Sequence, residues 1–326
     1  MKIAIIKLGA LGDVVRTLSI LPAIKEKYPN SEITWITKKN ALELFENNPH
    51  INNILAVPCE PFEEFDILYN FDIELEATEL AMKIKARKKL GFYSKDDFPA
   101  AYNLGAEYYL NTLFDDDLKI SNRKTYQEMM FQAAELEWKN QPYEIFLTEK
   151  DLEYSKKFSE KNKIQPGKLV GIHMGASSRW PSKVWHKDNL KEFIIKAKSK
   201  GYEIIVFGGP NEVDEINNLV SDLKQQNINI LTNNPKNSTK EFASLVNLCN
   251  KMICSDSFAL HISLALKKQT IGLFFCTSPH EVEGYGLLTK LASPILYDFF
   301  PHKSDQYSEE LTKSIFADQV LEVLEK

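Results

Sequence analysis

Four short stretches of this chain combine glycine, carboxylate, hydroxyl and cation in ways that could do chemistry. The first, "KLGALGDV" at 7–14, follows the apolar run "KIAIIK" and runs on into the amphipathic stretch "VVRTLSILPAIKEKYP". Gly9 and Gly12 permit a tight turn and a close backbone approach. Asp13 falls where a helix would begin. There it either caps the helix or, kept ionised by the helix N-terminus, serves as a general base. The second stretch, "HMGASSRWPSKVW", offers hydroxyls at Ser177 and Ser178 and cations at Arg179 and Lys183, the parts of an anion site. The alternative is a surface loop with Trp180 and Trp185 packed inward. The third, "FGGPNEVDE", puts Glu212 in the first turn of a helix, as a partner of the helix dipole or as acceptor of hydrogen bonds from ribose hydroxyls. The fourth, "CSDSFALHISLAL", sets Asp256 and Ser257 at a helix start and His261 one turn in. Such a start presents N–H groups that suit phosphate; otherwise His261 is a buried packing residue.

These stretches need elements to hold them, and the sequence alternates strand and helix throughout. "KIAIIKL", "EITWIT", "NILAVP" and "FDILYNF" read as strands; 14–28, 40–48 and "ELEATELAMKIKA" read as helices. That order predicts a parallel sheet with helices on both faces. Residues 93–123 break the rhythm as an aromatic, acidic, irregular segment, and a helix returns at about 124–138. A second series follows, with strands at 168–175, 203–209, "INILTN", 251–257 and 269–275. Helices are expected at 185–201, 211–225, after Ser238 or Thr239 as N-cap, and at 258–267. The end, "EELTKSIFADQVLEVLEK", is an amphipathic helix with Leu311, Ile315, Val320 and Leu324 on one side. A charged connection near 140–166, ending in Pro-Gly, separates the halves. In open α/β sheets ligands bind beyond the carboxyl ends of the strands, and all four stretches sit there.

Bulk properties narrow the function classes. A chain of 326 residues, 44% hydrophobic and 26% charged, reads as an ordinary globular protein of two domains. A net charge of −5 argues against a nucleic-acid partner. The scattered Cys59, Cys249, Cys254 and Cys276 read as structural thiols in a reducing compartment. The N-terminal apolar run is too short for a signal peptide, and no stretch has the length of a membrane span. The expectation is a cytoplasmic protein, with peripheral contact at the inner membrane left open. The first junction lacks the GxGxxG spacing and the P-loop lysine, which weakens dehydrogenase and kinase readings. Asp115, Asp116 and Asp117 invite a metal-binding DxD reading, but a solvated acidic loop is the simpler one. The basic run "KIKARKK" at 83–89 is a solvated helix end or a site of attraction for an anionic lipid acceptor.

In order and spacing, "KLGALGDVVRTLSILPAI", "GIHMGASSRWPSKVW", "FGGPNEVDE", "ICSDSFALHISLALKKQTIGLF" and "TSPHEVEGYG" resemble the heptosyltransferases of glycosyltransferase family 9, which build the inner core of lipopolysaccharide. The resemblance spans nearly the whole chain. It implies a GT-B fold: two Rossmann-like, doubly wound α/β domains facing a central cleft. Residues 1–150 would bind the acceptor and 151–307 the nucleotide sugar, with helix 308–326 packing back on the N-terminal domain. It further implies an inverting transfer from an ADP-sugar, ADP-heptose in the best-known members, to an anionic glycolipid acceptor, without metal or cofactor. Asp13 matches the family's base. Glu212 matches its ribose ligand, and Asp256, Ser257 and His261 match the motif around the diphosphate. Ser177, Ser178, Arg179 and Lys183 complete the donor set; Gly9, Gly12, Lys85, Arg87 and Lys88 form the acceptor set.

The chain departs from the family pattern twice. Phe258 stands where the family has glycine, and Ser178 where it has lysine, so Arg179 or Lys183 would carry that charge. Both departures lie in the donor set and bear on donor identity. Other readings of the same architecture are transfer of another sugar, a protein acceptor, an epimerase, a phosphorylase with pyridoxal phosphate, or a nucleotide-sugar binding protein without turnover.

Overall fold

The N-terminal apolar run forms β1 (Lys2–Ile6), in which Ile3, Ala4, Ile5 and Ile6 are wholly inaccessible to solvent. Such a strand is covered on both faces, as central parallel strands are. In this computed structural model, which describes residues 1–59, 64–175 and 179–326, the chain divides into two α/β units. The first comprises Met1–Phe146 with His280–Glu283, the second Leu147–Pro279 with Gly284–Lys326.

In the first unit β1 is followed by α1 (Leu11–Thr17), α2 (Ile20–Lys27), β2 (Glu32–Thr37), β3 (Asn53–Ala56), β4 (Phe65–Asn70) and α3 (Leu75–Lys83). Then come β5 (Ala86–Lys95), β6 (Phe98–Ala101), α4 (Leu104–Phe114), α5 (Asp116–Ser121) and α6 (Tyr126–Ala133). The sheet order is β3-β2-β1-β4-β5-β6; only β6 runs antiparallel to its neighbour. A core of Ala4, Ile6, Ile36, Leu68, Ala77, Ala81 and Ile84 lies on one face.

Three expectations are corrected here. The helix expected over 14–28 starts earlier and breaks in two around Leu18 and Ser19. Pro22 explains the break, because its ring meets the carbonyl four residues back and it has no N–H to donate. The basic run at 83–89 is only partly a helix end: α3 stops at Lys83 and β5 begins at Ala86. Residues 93–123 are not irregular; they form the β5–β6 hairpin and helices α4 and α5. Gly91 has φ +92, and a Cβ there would lie 1.9 Å from the Asn70 carbonyl oxygen, so only glycine fits this corner.

The second unit contains α7 (Glu149–Asn162), β7 (Leu169–His173), α8 (Lys187–Ser199), β8 (Glu203–Phe207), α9 (Val213–Gln225), β9 (Leu231–Thr232) and α10 (Thr239–Leu248). It continues through β10 (Lys251–Ser255), α11 (Phe258–Ala265), β11 (Gln269–Phe274), β12 (Leu288–Ala292), α12 (Leu296–Phe299), α13 (Glu309–Lys313) and α14 (Ala317–Glu325). Its sheet, β12-β11-β10-β7-β8-β9, is parallel throughout. The C-terminal segment contributes to the core of this unit. Leu311, Ile315, Val320 and Leu324 join Ile194, Ala197 and Leu273 in this unit's own core. Trp185 Nε1 donates to the Ile315 carbonyl at 2.8 Å, and Asn189 donates to the carbonyls of Lys313 and Ile315. Burying four aliphatic side chains stabilises by about 1.5–3 kcal/mol each, so the stripe is spent where it lies.

Candidate functional site

In the first unit the site grows from a buried turn. Asn70, with no solvent exposure, donates to the carbonyls of Asp72 and Phe92 and accepts the Asp72 N–H. That fixes Asp72 beyond the end of β4. Asp72 Oδ2 accepts the N–H groups of Leu8 at 2.9 Å and Gly9 at 3.2 Å, and lies 3.5 Å from Lys7 Nζ. Lys7 also donates to the Phe71 carbonyl at 3.1 Å. Burial opposes its charge, yet Tyr126, Asp72, Asp13 and Tyr109 outweigh burial and hold its pKa above the usual lysine range. The loop ahead of α1 is therefore pinned from beneath. A Cβ at Gly9 would meet nothing within 4 Å, so the loop is open on that side.

Asp13 is the third residue of α1 rather than its N-cap. Its Oδ2 reaches back to the Ala10 N–H at 3.2 Å. Its Oδ1 receives Arg16 Nε at 3.0 Å and lies 2.7 Å from Arg16 Nη2. Gly12 sits in the same first turn. The helix-cap role and an ionised carboxylate thus coexist in one side chain.

In the second unit the donor candidates gather at the carboxyl ends of β7, β8 and β10. Lys183 Nζ lies 3.0 Å from Asp256 Oδ2 and donates to the Asp256 carbonyl at 2.9 Å, with both side chains largely buried. His261 Nε2 is 4.0 Å from the other Asp256 oxygen. Ser257 is the N-cap residue of α11 but makes no side-chain cap bond, and its buried Oγ has no hydrogen-bond partner among the described residues. The same holds for Thr277 Oγ1, just beyond β11, and for His173 Nδ1, at the end of β7. Buried polar atoms are nearly always paired in native proteins, so three such atoms on neighbouring strand ends point to groups that a ligand would satisfy. Burial pushes the His173 imidazole down to about 4.

Glu212 closes a single turn, Pro210–Glu212, ahead of α9, and its Oε2 accepts the Gly209 N–H at 2.7 Å. A Cβ at Gly175 would come within 3.1 Å of both the Glu212 carboxyl carbon and His173 Cε1. Gly175 therefore gives the room in which these two side chains approach. Asn233 supports the turn by bonding to both the N–H and the carbonyl of Gly208.

The structure thus brings together Lys183, Asp256 and His261, and separately Glu212 with Gly175 and His173. It does not gather the rest. Arg179 is exposed beside Trp180, its Cζ 5.2 Å from the ring. Ser177 and Ser178 lie outside the described residues. Phe258 turns its ring towards Phe242, 6.0 Å between centroids. Lys85, Arg87 and Lys88 do not join Asp13. In the parallel register Ile3 is level with Ile67, and Ile67 with Lys88, which sets the basic run towards the amino end of the sheet. Arg87 pairs with Asp66 at 3.4 Å, and Lys88 pairs with Glu135. The acidic run also has a local job: Asp115 caps α5 by accepting the Leu118 N–H at 2.9 Å. Arg16, Tyr126, Lys7, Asp72, Asn233 and Thr277 were not singled out from sequence. Only Arg16 carried a signal, the helical i,i+3 spacing from Asp13.

Comparison with known proteins bears on the family of the chain. The sequence model described as glycosyltransferase family 9 (heptosyltransferase) matches residues 62–306, most of the chain. Lipopolysaccharide heptosyltransferase 1 of Campylobacter coli is 25% identical over 305 residues, 86% of each chain. A family 9 glycosyl transferase from Veillonella parvula superposes with a TM-score of 0.80 at 19% identity, covering 99% of this chain and 96% of that one. E. coli ADP-heptose lps heptosyltransferase II does so with a TM-score of 0.73 at 15% identity, covering 100% and 98%.

Proposed function

The chain belongs to glycosyltransferase family 9, and we propose that it moves a heptose from ADP-heptose to an inner-core lipopolysaccharide or lipooligosaccharide acceptor, with inversion at the anomeric carbon and without a metal ion. The names of its relatives support the donor and acceptor classes. The observation that carries the reading is the cluster at the start of α11, where Lys183 is held by Asp256 beside a helix N-terminus and an unpaired Ser257 hydroxyl. Those parts suit a diphosphate: a cation, N–H groups and a hydroxyl donor.

The reaction divides between the two units. On the first, Asp13 accepts the proton of the acceptor hydroxyl as that oxygen attacks C1 of the donor sugar. General-base help of this kind is worth roughly 100- to 10,000-fold. On the second, negative charge grows on the departing ADP, and Lys183 with the first N–H groups of α11 stabilises it there. Asp256, an anion that would repel phosphate, orients Lys183 instead. Glu212 holds the ribose. Gly9 and Gly12 keep the turn slim for the acceptor. Lys85, Arg87 and Lys88 act further off, on the anionic part of the acceptor. The present partners of Arg87 and Lys88 are exposed ion pairs worth little, so an anion can replace them. Because that acceptor is a lipid, the protein works at a membrane surface; no helix among the described residues is long and apolar enough to cross one.

The test is ADP release from ADP-heptose with a core glycolipid lacking that heptose, in EDTA, with the product's anomeric configuration read by NMR. Release in EDTA with inverted configuration is expected. Activity that returns only with magnesium or manganese, retention of configuration, or nucleotide binding without transfer would each overturn the corresponding part.

A further inference from the structure

Arg16 is placed with unusual care for a helix-surface cation. Its Cζ lies 3.7 Å from the centre of the Tyr126 ring, a stacked cation–π contact, and its side chain is 14% exposed. Tyr126 is itself fixed. Thr17 Oγ1 donates its one hydrogen to the Asp13 carbonyl at 2.6 Å, so in the 2.9 Å contact between the two hydroxyls Tyr126 is the donor. The ring of Tyr109 meets Tyr126 edge-on at 5.9 Å. Helix α1 is thereby locked to α6 by the very residue on which Arg16 rests. From that seat Arg16 places two nitrogens on Asp13 Oδ1, at 3.0 and 2.7 Å.

We infer that Arg16 is a positioning residue for transfer: seated on Tyr126, it grips Asp13 through Oδ1, fixes the plane of the carboxylate and keeps it ionised down to lower pH. This rests on the reading of Asp13 as the base. A guanidinium within hydrogen-bonding reach favours the charged carboxylate, and its planar fork fixes orientation as an ammonium does not. Other titratable groups that bear on Asp13 among the described residues include Lys7, just beyond β1, Tyr109 from α4 and Tyr126 from α6. Burial raises both tyrosines above their ordinary range, so they stay neutral where the enzyme works. Lys7 is committed to Asp72 and the Phe71 carbonyl. Arg16 is in direct contact with the carboxylate.

The experiment follows kcat and kcat/KM against pH in the full-length protein, with ADP affinity and melting temperature alongside. Arg16→Gln should lower kcat roughly tenfold and move the acidic limb of the profile up by about one pH unit or more, with ADP affinity unchanged. Arg16→Lys should return the limb towards wild type while restoring only part of kcat. Tyr126→Phe keeps the ring and should leave the limb in place, whereas Tyr126→Leu should reproduce the Arg16→Gln profile. An Arg16→Gln enzyme with an unmoved limb and kcat within about twofold of wild type would overturn the inference. Asp13→Asn separates the two levels. If it abolishes turnover while Arg16→Gln leaves both the limb and kcat unchanged, the base stands and only the role of Arg16 fails; if it keeps turnover, both fail.

Discussion

The carboxylate site of the first unit and the strand-end site of the second are built on opposite plans. Around Asp13 the described polar contacts close on one another: Ala10, Arg16, Thr17, Tyr126, Lys7 and Asp72 are tied by hydrogen bonds, ion pairs or ring stacking. Around α11, polar atoms are buried and unmatched: Ser257 Oγ, Thr277 Oγ1 and His173 Nδ1 have no partner among the described residues. A base must be aimed before substrate arrives, because a misplaced proton acceptor loses most of its effect. A binding site instead reserves hydrogen-bonding capacity for its ligand, and unmet buried groups are the cost of that reserve. Under the proposed function, the carboxylate site supplies orientation and the strand-end site supplies affinity.

The largest expected effect breaks the first half of that contrast. Asp13→Asn should lower kcat by two orders of magnitude or more while ADP affinity stays within about twofold. Its melting temperature should fall only slightly, since the lost ion pair is part-exposed and worth at most about 1 kcal/mol. Next in size, Lys183→Met should weaken ADP binding by roughly 10- to 100-fold, the scale of a charge-assisted hydrogen bond. Unchanged affinity by calorimetry would remove Lys183 from the diphosphate.

A smaller pair of effects with opposite signs would sharpen the second half. Thr277→Val and Ser257→Ala should each weaken ADP binding a few fold, yet raise stability by up to about 1 kcal/mol, because an unsatisfied buried hydroxyl disappears. Ser257 makes no cap bond, so its loss should not carry the usual capping cost. If either variant melts earlier, its hydroxyl serves the fold and not a ligand. Smallest is a pH effect. The His173 pKa is depressed to about 4 by burial, so the unfolded chain takes up this proton first as pH falls. Its contribution to stability is complete above about 6.5 and is lost as pH drops towards 4. His173→Gln should flatten that stretch of the melting-temperature profile.

How much of this was legible depends on the length of chain between partners. Central strands were readable because β1, β7, β8 and β10 are short apolar runs, and the four junctions, three of them glycine-bearing, follow strands. β12 was not, since Thr289 and Lys290 on an edge strand are exposed and show no apolar run. The basic run misled in part because lysines at 83–89 look like a helix end until pairing with β4 makes 86–89 a strand. Asp72 meets Leu8 across 64 residues, and Tyr126 meets Thr17 across 109; no local spacing announces either. The amphipathic stripe of the C-terminal helix was visible in the sequence, but the surface it covers was not.

The central claim is that nucleotide affinity belongs to the second unit alone. Hydrogen exchange of the full-length protein with and without ADP tests it most directly. The account predicts slowed exchange at the strand ends, near residues 173–175, 208–212 and 255–261, with Lys7–Thr17 unchanged. Protection of the segment bearing Asp13, with none at the start of α11, would contradict it.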